Sequence, residues 1–529
     1  MLEQDMTTDT VLIGGGELGR CPTRIHHQRF TVPTAAPDPV IERRIADGRR
    51  WEATVMDRIP GADRTTTVTA PGDPFDAGAP VEIASGVDPE SREEITLTLL
   101  RAGVPIVTGA RLSRPSHHSV GQPDLLVRLP DGYAPVEVKH HLVVGRSGIS
   151  ARSTPIGDLT ATSGTPRTFR PARSADLLQT AHYWTLLDTF GLANTRHLAG
   201  VIGAEAEIQC LWVDLDAGRL PVLSRYATAL STAIETVSAG REHPDTPLVP
   251  PVWRGECRGC PWAPLCRSEL EAADHVSLLP AVRAADTKLL LDAGITTTAT
   301  IARLTPATAP PDLDNPGEAI LQAKARSAGA LLPRAGEDLS LPDAALEVDF
   351  DVETYHGVLY LAGLLISEDG TSRYRPFTDW TGEPDGERRV LADLFRFFDG
   401  LVERGDFVVY HWTGYERTIL KEAGRRHGLS LATAPSVDAW FDRYACDLWA
   451  WTKRRFVSPN GYSLKVVAPL CGFNWRDDDP GGAQSEIWYS DLLEGDLSQR
   501  PRLLAYNEDD VVAQLAIRRW VRARHPISG

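Results

Sequence analysis

No apolar run in the chain approaches the roughly eighteen residues that a membrane-spanning helix needs, so a helical membrane protein is not expected. The N-terminus, MLEQDMTTDTVLIGGG, lacks the basic start and small-residue cleavage site of a secretory leader, which points to the cytoplasm. There is no G-x-x-x-x-G-K-[ST] phosphate loop, so ATP-driven unwinding would have to come from a separate helicase. Internal repeats and heptads are absent, which excludes solenoids and coiled coils. Cysteine is scarce, 7 in 529 residues. In an intracellular chain of this size that number reads as metal or cluster ligands and core thiols, not as a disulfide framework. Positive charge is in deficit, 55 Lys and Arg against 71 Asp and Glu for a net −16. That argues against nonspecific coating of nucleic acid and leaves recognition by a local basic strip open. The acidic total fits carboxylate-lined metal sites and ordinary solubility equally well.

What is present is an apolar fraction of 42%, enough to build several cores. Composition shifts divide the chain into residues 1–275, ending in a cysteine cluster, a helical stretch with a Pro-rich linker (276–340), and residues 341–529, which restart with the strand signal ALEVDFDVET. In the first segment IERRIADGRRWEATVMDRI has helical spacing, with Ile41, Ile45, Trp51 and Val55 on one face. Strands follow at PIVTGARL, PDLLVRL and APVEVKHHLVV, the last two joined through the Asp131-Gly132 turn. SADLLQTAHYWTLLDTF then reads as a capped amphipathic helix. The pattern is α/β.

Asp124 opens one of these strands and Glu137 and Lys139 lie on the next, where period two turns both to one face. Two acids beside one ammonium suit Mg²⁺ or Mn²⁺ held against a scissile phosphate; the plain alternative is a salt bridge on an edge strand. With Glu52 on the preceding helix and Gln179-x-x-x-Tyr183 on the following one, the ordered set resembles the RecB-like branch of the PD-(D/E)xK nucleases. The resemblance implies a restriction-endonuclease-like fold in which Glu52, Asp124, Glu137 and Lys139 are catalytic and Gln179 and Tyr183 help to place nucleic acid. Glu42 and His26 compete with Glu52 for the helical position. Arg146, Arg152, Arg167, Arg170 and Arg173 join Lys139 against the single acid Asp158, a local +5 that reads either as a phosphate track or as a solvated, flexible loop.

Cys257-x-x-Cys260-x5-Cys266 can wrap three thiolates around one centre. The run is similar to the four-cysteine iron–sulfur staple of RecB-like nucleases. That resemblance makes Cys21 the fourth ligand of a [4Fe-4S] cluster, with zinc as the alternative. Cys210, Cys446 and Cys471 read as packing thiols. Gly14, Gly16 and Gly19 match G-x-G-x-x-G, the mark of a dinucleotide-binding oxidoreductase, but the prolines at 33, 37 and 39 interrupt the βαβ unit such a site requires. AVRAADTKLLLDAGITTTATIARL reads as two short helices turning at Ala293-Gly294-Ile295, similar to a helix-hairpin-helix or a plain packing spacer.

In the last segment Asp351 and Glu353 share one strand face, Glu416 follows a buried strand, and Tyr506 and Asp510 stand one helical turn apart. Together they resemble the RNase H-like DEDD exonucleases of the Tyr-x-x-x-Asp variety, and Tyr462–Lys465 (YSLK) fits a branch often joined to RecB-like nucleases. The resemblance implies a mixed-sheet domain in which Asp351, Glu353, Glu416 and Asp510 hold two metal ions and Tyr506 orients the nucleophile. Glu416 departs from the more usual aspartate. Asp349, Asp447 and Asp509 are left as outer acids. The expectation is a metal-dependent nuclease acting on DNA ends or single strands in repair or recombination. Its alternatives are an RNA-processing exonuclease and a nucleic-acid-binding scaffold with one or both sites inactive.

Overall fold

The computed structural model describes residues 10–33, 39–160, 164–478 and 481–524. The first nine residues, on which much of the leader reading rests, and Pro37 lie outside that set. Two compact units emerge, one of residues 1–251 and 259–264, the other of 252–258 and 265–529. The helical stretch expected as a separate segment therefore belongs with the second unit. Among the described residues no helix is long and apolar enough to cross a membrane.

The first unit is built on a nine-stranded mixed sheet: β1 (Thr66–Val68), β2 (Val81–Ile83), β3 (Ile106–Thr108), β4 (Leu125–Leu129), β5 (Gly132–Val138), β6 (Val144–Pro155), β7 (Thr165–Phe169), β8 (Leu198–Ile202) and β9 (Gln209–Asp214). Their spatial order is β7-β6-β9-β8-β5-β4-β3-β2-β1. Helices α1 (Pro22–Phe30), α2 (Pro39–Met56) and α3 (Ser174–Thr189) belong to the same unit.

Several local expectations are corrected here. PIVTGARL is not one strand. It breaks at Gly109, at φ +66° and so close to the Ile83 carbonyl that no side chain fits, and Leu112–Arg114 joins a separate three-stranded sheet. APVEVKHHLVV likewise stops at Val138 and resumes at Val144. Ile45 of α2 is 52% exposed, so its apolar face is narrower than the spacing suggested. Helix α3 has no side-chain cap and buries residues nearly all round, from Leu177 to Leu187, because it runs through the unit instead of lying on it. Within the basic segment, β6 and β7 pair antiparallel, so these residues are strands and not a loop. Gly14 ends a two-residue strand followed by a single short turn of helix, so the glycine motif opens no βαβ unit.

The second unit contains the helices Ala284–Asp292, Thr298–Ala302 and Pro316–Ala328 and a five-stranded mixed sheet. Its strands are β10 (Leu346–Tyr355), β11 (Val358–Glu368), β12 (Thr371–Thr378), β13 (Phe407–His411) and β14 (Ala445–Asp447), ordered β12-β11-β10-β13-β14. Strand β10 is antiparallel to β11 and parallel to β13. Val348, Phe350 and Val352 point from β10 into an apolar core shared with α4 (Pro384–Arg404) and α5 (Tyr415–His427). The alternate residues Glu347, Asp349, Asp351 and Glu353 face the other layer, where α6 (Leu464–Leu470), α7 (Gly482–Leu493) and α8 (Gln499–Arg524) lie.

An acidic strand face can be buried only if a partner neutralises it. Helix α8 supplies one at the near end of β10. Arg518, fully buried, donates to both Asp349 oxygens at 2.9 and 2.6 Å and to Glu347 at 2.5 Å. Asp349 is thus a structural acid. Arg518→Leu would strand the Asp349 carboxylate in the core, Glu347 keeping Arg522, and we expect urea unfolding to register a loss of about 3–5 kcal/mol.

Candidate functional sites

In the first unit the β4–β5 hairpin pairs Leu125 with Val136 and Leu129 with Gly132, which sets Asp124 beside the end of β5. Asp124 Oδ2 accepts from the Val138 amide at 2.7 Å, and the Asp124 amide donates to Glu137 Oε1 at 3.4 Å. Lys139 Nζ donates to Glu137 Oε2 at 2.5 Å and to Gln179 Oε1 at 3.0 Å, and Gln179 Nε2 donates to the Tyr183 hydroxyl at 3.0 Å. The two acids, the lysine and the Gln–Tyr pair therefore form one continuous network. Glu52, on α2, is close enough for the Asp124 charge to raise its pKa after burial does so first, with Lys139 and Arg49 opposing.

Burial and the Asp124 charge push the Glu137 carboxyl up to about 8, Lys139 notwithstanding. Burial also raises Asp124. For Lys139 burial works downward, but the two acids outweigh it and the ammonium is held charged. Carboxylates that resist ionisation next to one cation are electrostatically short of positive charge, which is the condition a divalent ion relieves.

Tyr183 is only 4% exposed. Its hydroxyl accepts from Gln179 and orients that side chain from behind. Gly15 lies against the same pair, where a Cβ would stand 3.1 Å from Tyr183 and 3.2 Å from Gln179. Close packing on this network favours a glycine at position 15, between the first two glycines of the dinucleotide-like motif. His26 is elsewhere, its Nε2 2.8 Å from the Pro244 carbonyl. Glu42 lies in the first turn of α2.

Arg146, Arg152, Arg167, Arg170 and Arg173 are all exposed. Arg152 pairs with Pro166 and Arg167 with Ala151, so neighbouring register positions turn the two guanidinium groups to opposite faces of the hairpin. Arg170 is tied to the Val144 carbonyl at 2.6 Å. The basic residues thus do not form a single stripe.

Cys21 is the buried residue that precedes α1. Cys257 lies in the turn Gly255–Gly259, Cys260 follows it, and Cys266 lies in the helix Ala263–Ala272. Among the described residues no disulfide joins any cysteine. The division between the two units runs through this cysteine segment. Cys210 is fully buried in β9, in keeping with a packing thiol.

In the second unit Asp351, Glu353 and Asp510 offer ligand oxygens that all lie within 4.8 Å of one another, the one such group among the described residues. Each acid is held by its own donor. Asn507 Nδ2 donates to Asp351 at 2.7 Å, Ser485 Oγ to Glu353 at 2.7 Å, and Trp475 Nε1 to Asp510 at 2.6 Å. Asn507 is itself fixed by the Tyr374 hydroxyl at 2.8 Å. Opposite Asp351 in the sheet is Gly363, where a Cβ would overlap Asn507 Oδ1. Lys465 pairs with Asp510, and its ammonium lies 4.1 Å from the Trp475 ring centre and 4.4 Å from that of Tyr506.

Burial, followed by the charges of Asp510, Glu353 and Glu416, raises Asp351 well above the carboxylate range. Glu353 is pushed up to about 8 by burial and Asp510. Asp510 rises through burial, with Lys465 and Trp475 opposing. Tyr506, 3% exposed, is driven far above a normal phenol by burial and by Glu353 and Asp510. The shift favours the protonated hydroxyl, which can orient a neighbouring oxygen.

Glu416 lies in the first turn of α5, a short turn after β13, and is 2% exposed. It stands outside the tight group of three, with Oε2 3.5 Å from His411 Nδ1 and no well-formed hydrogen bond. Burial tends to lower His411, but Glu416 outweighs it and raises the imidazole. The longer side chain is thus directed to a histidine as well as toward Asp351. A buried carboxylate oxygen lacking a hydrogen bond suits a cation, and with the three converging acids the donor set fits Mg²⁺ or Mn²⁺.

The outer acids have other work. Asp509 is held by Arg476 at 2.7 Å, and Asp447 caps the helix Leu448–Arg455. Tyr462 bonds to the Phe456 carbonyl at 2.9 Å, so within YSLK only Lys465 reaches the acids. Ser485, Asn507, Trp475 and His411 were not singled out from sequence. One signal was legible: Asn507, Asp510, Gln514 and Arg518 recur at helical spacing on α8, a polar stripe where a core-facing helix normally carries apolar residues.

No curated protein matches the chain. Residues 348–522, which hold the three converging acids, Glu416, Lys465 and Tyr506, match the family model of the RNase H superfamily.

Proposed function

We propose that the protein is a metal-dependent nuclease that hydrolyses phosphodiester bonds at DNA ends or in single strands, with a second hydrolytic centre of the RecB-like kind in its first unit. The observation that carries the reading is the convergence of Asp351, Glu353 and Asp510 inside the segment matched by the RNase H superfamily.

At that centre Asp351, Glu353 and Asp510 would hold Mg²⁺ or Mn²⁺, with Glu416 as an outer contributor; the ion supplies charge neutralisation and an activated water when bound. Asn507, Ser485 and Trp475 fix the directions of the three carboxylates, so little reorganisation is left for the reaction itself. Tyr506 presents a protonated hydroxyl to the attacking oxygen. In the first unit Asp124, Glu137 and Glu52 would hold an ion, while Lys139, oriented by Gln179, stabilises charge on the phosphate oxygens. Cys21, Cys257, Cys260 and Cys266 are donors of the type that iron–sulfur and zinc centres take, and we assign them a structural [4Fe-4S] cluster. The exposed arginines of the β6–β7 hairpin would contact strand phosphates from both of its faces.

A substrate panel tests the assignment. Labelled single-stranded, blunt and overhanging DNA, and RNA of the same sequences, are incubated with Mn²⁺ and wild type, Lys139→Ala, Asp351→Asn or the double variant. We expect wild type to degrade at least one DNA form and the double variant none. RNA-only cleavage would replace DNA by RNA as substrate, and no turnover on any form would replace the enzyme by a binding scaffold.

A further inference from the structure

Lys465 stands among the acids of the second centre and is neither a ligand nor distant from them. It occupies the first turn of α6, whose neighbours Leu464 and Val467 are buried, so its backbone is fixed. Its ammonium is confined between the Trp475 and Tyr506 rings, at 4.1 and 4.4 Å from their centres, and touches Asp510 Oδ1. The same oxygen accepts from Trp475 Nε1 at 2.6 Å. Two donors therefore converge on one oxygen of an acid that also belongs to the group of three.

We propose that Lys465 is a built-in counter-cation of the Asp351–Glu353–Asp510 group, a positioning residue that shares Asp510 with the divalent ion and thereby sets how tightly that ion is held. The inference rests on the metal-dependent reading of this centre. One positive charge beside three carboxylates offsets part of their mutual repulsion before any ion arrives, and the ion must then bind against that charge. Each cation weakens the other by the same factor, as linkage requires. At separations of a few ångströms in a partly buried site such a charge outweighs anything the solvent screens away. The arrangement keeps Asp510 aimed at the ion site while the site is vacant and prevents the ion, once bound, from being locked in place.

The test is Mn²⁺ binding to the full-length protein, measured by titration calorimetry and by the electron paramagnetic resonance signal of free Mn²⁺ at fixed pH and salt. Lys465→Met and Lys465→Gln remove the charge and keep most of the volume; Lys465→Arg keeps the charge; Asp510→Asn removes the shared ligand. We expect both neutral variants to bind Mn²⁺ about tenfold more tightly than wild type, Lys465→Arg to stay near wild type, and Asp510→Asn to lose binding at this site. Tighter binding cannot arise from damaged packing, so the direction separates charge sharing from a merely structural role. Equal or weaker affinity in both neutral variants would overturn the inference while leaving the metal site standing. A wild-type protein that takes up no Mn²⁺ would instead remove the metal-dependent reading beneath it.

Discussion

Asp351→Asn should lower Mn²⁺-dependent hydrolysis by the second centre about a thousandfold, equivalent to about 4 kcal/mol of lost transition-state stabilisation, and should at the same time raise the thermal midpoint of the metal-free protein. Both effects have one cause. Asp351 lies where the charges of Asp510, Glu353 and Glu416 meet, and burial removes the water that would otherwise screen them. The amide keeps the acceptor that Asn507 Nδ2 needs but removes the negative charge. It therefore relieves repulsion in the empty site and cannot serve an ion in the loaded one. Single-turnover rates on a substrate used only by this centre, in a Lys139→Ala background, measure the first effect, and calorimetric melting in a chelator measures the second. A variant with lost activity and an unchanged or lower midpoint would contradict the account of the electrostatics.

The metal-free protein should also lose stability as pH rises from about 6.5 to 8, by on the order of 1 kcal/mol per pH unit for each contributing group, with Mg²⁺ restoring most of it. Glu137 and Glu353 are pushed to about 8 in the fold from an ordinary 4.5. Between those values the folded state holds protons that the unfolded chain has released, so unfolding becomes more favourable with each step upward in pH. Their stabilising contribution is complete below the unfolded value and is lost as pH passes through the folded one. Of the buried histidines, His182 acts in the opposite sense at lower pH: brought down to about 4 by burial, it adds stability as pH climbs toward 6.5. Above 6.5 that contribution is constant, and His411, raised by Glu416, loses stability in the same sense as the carboxylates, so the fall above 6.5 belongs to the carboxylates and His411 together. Urea unfolding in chelator and in Mg²⁺ at pH 6.5, 7.25 and 8 checks this. A flat chelator curve would mean that the acids ionise without penalty.

How much of this was legible in the sequence depended on whether a signal was local. The hairpin through Asp131-Gly132, the strand Leu346–Tyr355 and the Tyr506–Asp510 turn were all readable because a two-residue turn, period two and period 3.6 are properties of neighbouring residues. PIVTGARL failed because Gly109 serves a contact with Ile83, which is remote in sequence. The basic segment 144–169 looked like a loop because an edge hairpin with exposed arginines carries no apolar alternation. At the second centre the acids themselves were found. Their supports were not, since Ser485 and Trp475 come from separate stretches of chain and nothing about either residue marks it before the fold brings it to an acid. The middle segment is tied to the last one by contacts between residues remote in sequence, Gln322 to the Ser458 carbonyl and Arg326 to Asn460, which no local pattern announces.

Gly363 has no functional group, yet it carries a demand as strict as that on any acid. Its missing side chain is the space in which the carboxamide of Asn507 lies, and that carboxamide holds Asp351. Even alanine there would push Asn507 away from the strand and leave the acid without its tether. A residue that performs no chemistry thus shares its space with a tether of the site. In a saturation library scored for turnover, an inert position in the middle of a strand would stand out beside the carboxylates, and a search restricted to reactive side chains would pass over it.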